Sequence, residues 1–428
     1  MQLPNYAPDM PRAFLPLRDR RFARYAASAA ISFVGDGLYL VALAWFASGL
    51  GRPLLALSVV GSAATLPQLI AALAGGSLAD RFDRRNLLVA VDVARFLFTA
   101  TIGLLALTGS LGLVTLTALV GCFGLASAIA TPTTIAYVPR LVSRDELHAA
   151  NALLSMTRMI GQRVVGTLLG GVVVVAGGTA VCFLADAATF LLSAGLILGL
   201  PPARTAAVRT RTLRHVAEGL RYVRSVRWLA VTLAASSLSL LFYVGPFQVL
   251  TPLLVRGSLH GNARSYGLFI FAGGVGAFAA SALAGQLSPR RPIPVVYGLF
   301  LLSLGTFCAY GVAPSLGILM ACTAVSIGAG MAGGIVWQSL LQTHVPDEVL
   351  GRVASLDSLA TFGLVPLSMA VAGWAGSLLG IRAAVVVEGV LASAVLVVGF
   401  LFLPREYRQP QLRRRLPSSG SPVDSPTA

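Results

Sequence analysis

Lysine is absent from this 428-residue chain, so every one of its basic residues is arginine. Charge of either sign is scarce: Asp, Glu, Lys and Arg make up 11% of residues, where soluble domains carry roughly 25%. The four cysteines, Cys122, Cys182, Cys308 and Cys322, all lie within apolar stretches, which argues against a disulfide framework and for small packing residues. His148, His215, His260 and His344 are scattered, and no Cys/His spacing suits a metal. No GxxxxGK[ST] phosphate loop is present and no nucleophile–base arrangement stands out, so neither an ATP-driven machine nor an enzyme is expected, and no cofactor is implied. A three-residue glycine period is missing, which excludes a collagen-like chain. Too little of the chain is polar for a disordered protein.

What is present is hydrophobicity: 56% of the residues are apolar. In water such a chain would leave large apolar patches exposed. About 20 apolar residues cross a bilayer, so the apolar content suffices for roughly a dozen crossings. Runs bounded by Arg, Pro, Gly and Asp give twelve candidate spans. They begin near Phe22, Leu54, Leu87, Leu111, Leu147, Thr179, Trp228, Tyr266, Pro292, Leu316, Val349 and Ile381. The first run is too long for a cleavable signal and carries an acid, so none is expected.

Arginine placement tests this assignment. With the N-terminus cytoplasmic, the even loops, the central stretch and both tails face the cytoplasm. Only Arg52, Arg256, Arg264 and Arg382 then fall in the opposite loops, and only Arg95, Arg158 and Arg163 within spans. This is the positive-inside pattern, and one missed span would scramble it. The net charge of +16 is therefore read as topology, not as a surface for nucleic acid. The expected organisation is a cytoplasmic segment (1–21), a six-helix half (22–200), a cytoplasmic linker (201–227), a second six-helix half (228–403) and a disordered cytoplasmic tail (404–428). In the linker, Leu213, Val216, Leu220 and Val223 recur at helical spacing between arginines, which predicts a basic amphipathic helix at the inner leaflet.

The halves share a repeat. LVSRDELHAANAL (141–153) resembles THVPDEVLGRVASL (343–356), each an acid-containing turn leading into a helix. Duplicated halves are a transporter architecture with the substrate path between them. The loop after the second span reads GSLADRFDRR (76–85), and with Gly76, Leu78, Asp80, Arg81, Arg84 and Arg85 it resembles the signature loop of the major facilitator superfamily. Asp83 stands where that signature has a glycine. The runs VPRLVSRDELHAANAL, GDGL and VPDEVLGRV resemble the drug and siderophore exporter branch, which includes macrolide-efflux and enterobactin-exporter relatives. The resemblance spans Arg18 to Leu403 and implies an all-α membrane protein of twelve transmembrane helices in two pseudo-symmetric halves. In that family Asp80 would latch the inner side shut against the start of span eleven near Arg352. A second family pattern is kept in part at Gly161, Gly166, Gly170 and Gly171, with one extra residue between the first two glycines and Thr167 in place of a proline. Close helix packing explains these glycines equally well.

Ionisable groups in mid-membrane cost about 2.5–3.5 kcal/mol at a helix centre, so those present should carry meaning. Asp36, between two glycines of span one, is the candidate proton-coupling acid, with Arg163 as its candidate structural partner. Asp92 and Arg95 sit three apart and read as a local pair. Arg158 and Asp357, in equivalent spans of opposite halves, are candidates for an inner gate with Asp80. Asp186 and Glu388 read as structural. A cavity for a bulky, partly apolar solute needs aromatic and amide groups. In the family, spans one, four, seven and ten line it, which nominates Tyr39, Trp45, Thr131, Phe242, Tyr243, Gln248, Trp337, Gln338 and Gln342.

The expected function is a monomeric secondary transporter in a prokaryotic inner membrane. It would export a small amphipathic compound by alternating access, in exchange for protons. The expected partners are the lipid bilayer, the small-molecule substrate and protons, with no nucleic acid. A proton-coupled importer, a lipid or lysolipid flippase and a non-transporting membrane sensor are the alternatives.

Overall fold

The structure, a computed structural model, describes residues 12–74, 82–203, 212–284, 286 and 289–408. Among these there is no strand, and helices account for nearly every residue outside short turns. Hydrocarbon offers no hydrogen-bond partner, so a lipid-facing backbone must satisfy its own N–H and C=O groups, as a helix does. In chain order the helices are α1 (Arg20–Ser48), α2 (Pro53–Ala74), α3 (Arg84–Leu107), α4 (Leu113–Tyr137), α5 (Leu147–Arg158) and α6 (Gly166–Leu198). There follow α7 (Thr212–Ser225), α8 (Arg227–Leu241), α9 (Val244–Leu253), α10 (Ala263–Ala284), α11 (Pro292–Val312), α12 (Leu316–His344), α13 (Asp347–Gly363), α14 (Val365–Leu379) and α15 (Ile381–Phe402).

Ten helical stretches among the described residues are long and apolar enough to cross a bilayer, and Pro53–Pro67 is a shorter apolar one. The sequence predicts twelve spans; the shortfall lies in α2 and in Leu147–Leu198, a stretch of 52 residues. At 1.5 Å per residue that stretch would measure about 78 Å, well over twice the hydrocarbon thickness. It breaks at Gly178, whose φ of 82° and ψ of 172° only glycine adopts without strain. Gly380, 202 residues later, holds nearly the same conformation (φ 79°, ψ 160°) between α14 and α15. The 141–153 and 343–356 repeat has this same offset. Large apolar side chains such as Val114 (83% exposed) and Trp374 (66% exposed) point outward around the bundle, an arrangement suited to lipid and not to water.

Two ends of the bundle can be told apart. At one end Arg24 on α1 donates to Gly195 O, Arg84 on α3 to Ala136 O, Arg85 to Leu200 O, and the Tyr137 hydroxyl to Pro201 O. This is the arginine-rich end. At the other, Arg382 at the start of α15 donates to Gly311 O and Ala313 O. Asp83 caps α3, its carboxylate accepting from the Asn86 amide at 3.2 Å, and its φ of −61° needs no glycine. Replacement of the motif glycine by Asp thus gives the helix a proper start. Gly76, Asp80 and Arg81, by contrast, lie outside the described residues, as do residues 204–211 of the linker and the tail beyond residue 408. The expected amphipathic helix forms as α7, which docks on α13 where Gly219 meets Arg352.

Within the first set of helices α1 packs on α6, α3 on α6 and α4, and α2 on α4; in the second, α10 and α11 pack on α12, and α8 and α11 on α15. The α1–α6 contact is a glycine seam. A Cβ on Gly166 would lie 2.8 Å from Gly37 Cα, and one on Gly170 would lie 3.2 Å from Leu38 Cα. Close approach of this kind is how helices gain dispersion energy in lipid. The extra residue between Gly161 and Gly166 is absorbed by a π-helical segment, Met159–Val165, in which the Gly166 N–H bonds to Gly161 O. That i→i−5 register sets both glycines against α1, Gly161 meeting Phe33 and Val34. Gly166→Leu should destabilise the protein by about 1–3 kcal/mol through overpacking, whereas Gly298→Ala, with open space around it, should change it little. Thermal unfolding of the two purified variants in detergent checks this contrast.

Candidate functional site

The two sets of helices touch mainly through their halves remote from the arginine-rich end. There α2 packs on α14 and α6 on α10. Ser62 Oγ lies 3.4 Å from Pro366 O, and Gly61 faces Met369. A Cβ on Gly267 would stand 3.0 Å from Gly171 Cα. Arg256 joins the ends of α1 and α9: its guanidinium lies 4.9 Å from the Trp45 ring centroid and donates to Trp45 O and Ser48 Oγ, each at 3.1 Å. Towards the arginine-rich end the contacts thin out, and α4 and α12 make no contact of comparable extent among the described residues. Among the described residues, contact between the sets is therefore densest away from the arginines.

Asp36, midway along α1, is one of several charged groups on the first-half helices. Its carboxylate stands 4.0 Å from the Arg95 guanidinium of α3, both side chains 13% exposed. Arg95 in turn donates to Ser127 Oγ on α4 at 2.9 Å and lies over the Phe190 and Phe123 rings, at 4.9 and 5.3 Å from their centroids. The local pairing expected of Asp92 and Arg95 does not form. Asp92 accepts instead from Ser193 Oγ at 2.6 Å, because it faces α6 while Arg95 turns towards α1 and α4. Asp186 is fully buried against Gly35, where the absence of a side chain leaves room for its carboxyl. Glu388, 202 residues further on, is 1% exposed and neither carboxyl oxygen has a hydrogen-bond partner. In a low-dielectric interior such groups are costly unless they are neutral or paired.

The expected pairing of Arg163 with Asp36 is likewise absent, because the π segment turns Arg163 away from α1. Its electrostatic neighbours are Arg158, Tyr266 and Tyr243. Arg158 is exposed, with its guanidinium 6.0 Å from the Phe33 ring centroid. Asp357, a candidate with Arg158 for an inner gate with Asp80, is held within its own half by Trp337 Nε1 (3.1 Å) and Gln338 Nε2 (3.3 Å).

The nominated cavity residues divide. Tyr39 is buried, stacked on Phe123 at 4.6 Å, inside the first half. Trp45 belongs to the end remote from the arginines. Thr131, Gln248, Gln338 and Gln342 are exposed, Gln338 being tied to Asp357. Trp337 is buried near Trp228. Phe242 and Tyr243 mark a break between α8 and α9, where Ser368 Oγ accepts from the Gly245 N–H at 2.7 Å and lies 2.5 Å from Leu241 O. That serine serves the backbone groups the break leaves over. Sequence reading missed Ser127, Ser193, Arg256 and Ser368, since single polar residues in apolar runs carry no pattern.

A helical bundle of this topology is a membrane transporter fold. Solved structures agree: a bacterial homologue of the human lysosomal transporter Spinster, in an inward-facing and unoccupied conformation, superposes with a TM-score of 0.63 at 14% identity, covering 91% of this chain and 96% of that one. The nucleoside transporter NupG gives 0.70 at 10% identity, covering 89% and 98%. More specifically, residues 12–423 match the family model described as transmembrane secretion effector, and the chain belongs to that family of the major facilitator superfamily. It is similar to the enterobactin exporter EntS of Citrobacter koseri, 27% identical over 371 residues, covering 83% of this chain and 85% of the relative. It is equally similar to the MFS-type transporter YfiS of Bacillus subtilis, 27% identical over 396 residues, covering 88% and 91%. The chain is thus a multi-pass membrane transporter of the exporter type, not an enzyme.

If Arg256 holds the ends of α1 and α9 together, Arg256→Ala should loosen them. Spin labels on Arg52→Cys and Ser377→Cys, on a cysteine-free background, should report a longer or broader distance distribution in that variant; an unchanged distribution would assign that hold to the helix seams alone.

Proposed function

We propose that this protein exports a small amphipathic compound, of the drug, siderophore or secondary-metabolite kind, across the inner membrane by alternating access driven by proton antiport. The observation that carries this reading is the ionisable cluster on α1, α3 and α6, since a chain that spends insertion energy on Asp36, Asp92, Arg95 and Asp186 puts them to use. Twelve crossings in two halves, residues 22–200 and 228–403, with both termini cytoplasmic, fit the arginine asymmetry. On that orientation the arginine-rich end, where contacts between the two sets are fewest among the described residues, would face the cytoplasm.

The coupling step follows from the geometry around Asp36. Ionised, it attracts Arg95 across α1 and α3. Protonated, it releases the guanidinium to Ser127 and the two rings, which loosens α1 against α3. Helix α1 carries both the Asp36 contact and, through Trp45 and Ser48, the end held by Arg256, so one helix links proton occupancy to closure. Arg158 and Asp357, with Asp80, Arg81, Arg84, Arg85 and Arg352, would close the cytoplasmic side in the opposite state. Thr131, Phe242, Tyr243, Gln248, Gln338 and Gln342 would contact the solute. An importer or a flippase of the same fold is the second reading.

Proteoliposomes with an imposed pH gradient test it. The native protein should move drug, dye or siderophore against its gradient, and Asp36→Asn should lose gradient-driven flux while keeping its fold and substrate binding. Normal flux in Asp36→Asn would remove Asp36 from the coupling role. Flux in the opposite direction would favour import.

A further inference from the structure

Helices α2 and α14, one from each set, leave a groove between them at the end remote from the arginine-rich one. Its volume is about 660 Å³, within the roughly 300–1,000 Å³ of small-molecule sites. Leu55 and Val59 of α2 and Ala370 and Trp374 of α14 line it, all four exposed, so the groove opens at the surface of the bundle, where lipid lies. Two polar groups interrupt these apolar walls. Arg52 stands exposed at one end, in the turn before α2. Ser58 lies deeper, 7% exposed, and its hydroxyl has no hydrogen-bond partner among the described residues. Its neighbours in the groove are satisfied: Ser62 Oγ donates to Pro366 O at 3.4 Å and Ser377 Oγ to Trp374 O at 2.7 Å. A buried hydroxyl left without a partner is costly. The groove therefore presents a polar group that a ligand can satisfy.

Charge at this end has one sign. The loops that meet here, residues 49–52, 108–112, 254–262 and 313–315, contain no Asp or Glu. Arg256 donates to Trp45 O and Ser48 Oγ, and Arg382 to Gly311 O and Ala313 O. The Arg52 guanidinium has no ion-pair or hydrogen-bond partner among the described residues. An arginine at the mouth of an apolar groove, with no acid beside it, suits a phosphate, whose oxygens its planar fork receives in pairs. Depth agrees with this. From Pro53 to Ser58 the helix rises about 8 Å, close to the thickness of a leaflet's polar interface, about 5–8 Å. A phosphate on Arg52 thus sets the polar linkage beneath a lipid headgroup beside Ser58 and the hydrocarbon along Val59 and Trp374.

We infer that this groove binds an anionic phospholipid of the leaflet at that end, the outer one on the proposed orientation. Arg52 takes the phosphate, Ser58 donates to an ester carbonyl, and one acyl chain fills the space between α2 and α14. Because the two helices belong to different sets, the lipid bridges the sets beside the Ser62–Pro366 contact. Its occupancy favours the arrangement in which they touch, since the groove exists only there. The lipid is a bound component and not the transported solute, so the site does not depend on the exporter reading.

Trp374 provides a local probe, since it is 66% exposed while Trp228 and Trp337 are each 7% exposed and Trp45 lies under Arg256. The full-length protein is reconstituted in phosphatidylcholine vesicles holding a small, equal fraction of brominated phosphatidylglycerol or brominated phosphatidylcholine, and bromine in contact quenches tryptophan fluorescence. Phosphatidylglycerol should quench in excess, equivalent to about tenfold tighter binding, the worth of one charge-assisted contact. Trp374→Phe should remove the excess, and so should Arg52→Gln, while Arg52→Lys should restore part of it. Ala370→Phe, which narrows the groove, should reduce it. Arg264→Gln removes an exposed arginine near the same end that does not line the groove, and should leave the excess intact. In lipid-free detergent Arg52→Gln should unfold at the native temperature; a merely structural arginine would lower it. Equal quenching by the two lipids, or an excess that survives Trp374→Phe, Arg52→Gln or Ala370→Phe, would overturn the site. So would an excess lost as fully in Arg264→Gln, which would mean a diffuse field, or one removed by millimolar glycerol phosphate, which would mean a site for soluble phosphate. Absence of quenching by either lipid would mean that a second copy of the chain covers the groove, and would overturn it too.

Discussion

In hydrocarbon a peptide group that does not find its partner within the chain finds none, and the rest of this structure follows from that constraint. It accounts for the dominance of helix and for the small number of irregular places. Each irregularity is answered by a specific group. The π segment at Met159–Val165 keeps its backbone bonded in a wider register. The α8–α9 break is served by Ser368, and the C-terminal end of α11 by Arg382. Gly178 and Gly380 take the one turn geometry that other residues resist. Irregular backbone in a membrane is tolerated where protein or a cavity surrounds it, and the π segment lies where one helix set meets the other, against α1 and α10.

The second organising feature is close helix contact. Without a hydrophobic force between helices in lipid, association depends on how near two backbones can come. Gly37 against Gly166 fixes α1 on α6, and Gly171 against Gly267 fixes α6 on α10. The same stretch of chain thus builds one half and joins it to the other. The contacts that join the sets are concentrated away from the arginine-rich end, and they thin towards it among the described residues. Polar groups are distributed around this geometry: Asp36 and Arg95 lie inside the first half, Arg256 joins α1 to α9 at the far end, and Arg163 stands at the seam.

Span positions, the arginine-rich end and the repeat were legible in the sequence, because each is a property of composition along the chain. Hydropathy marks what must leave water, arginine marks what must remain at the inner surface, and Asp83 at the start of α3 or Gly178 between two apolar runs act locally. The candidate site was legible only as a set of residues. That charges lay within spans could be read; which charge met which could not. Sequence spacing pairs Asp92 with Arg95, and Asp92 bonds Ser193; Arg163 is the partner expected of Asp36, which lies beside Arg95; the hold of Trp337 and Gln338 on Asp357 has no mark in the sequence. Partner choice depends on helix rotation, and a single π turn changes rotation by more than sequence spacing reveals.

By itself, then, the sequence determined that this chain lives in a bilayer, where its long apolar runs lie and which end carries the arginines. Those outcomes are set by transfer of individual side chains between water and hydrocarbon, an essentially additive and local quantity. Tertiary structure decided the rest: that among the described residues the halves meet mainly away from the arginine-rich end, that Arg95 holds Asp36, and that Asp92 bonds Ser193. These depend on which faces of separate helices meet, and that is settled by glycine seams and one widened turn acting together, across stretches of chain far apart in sequence.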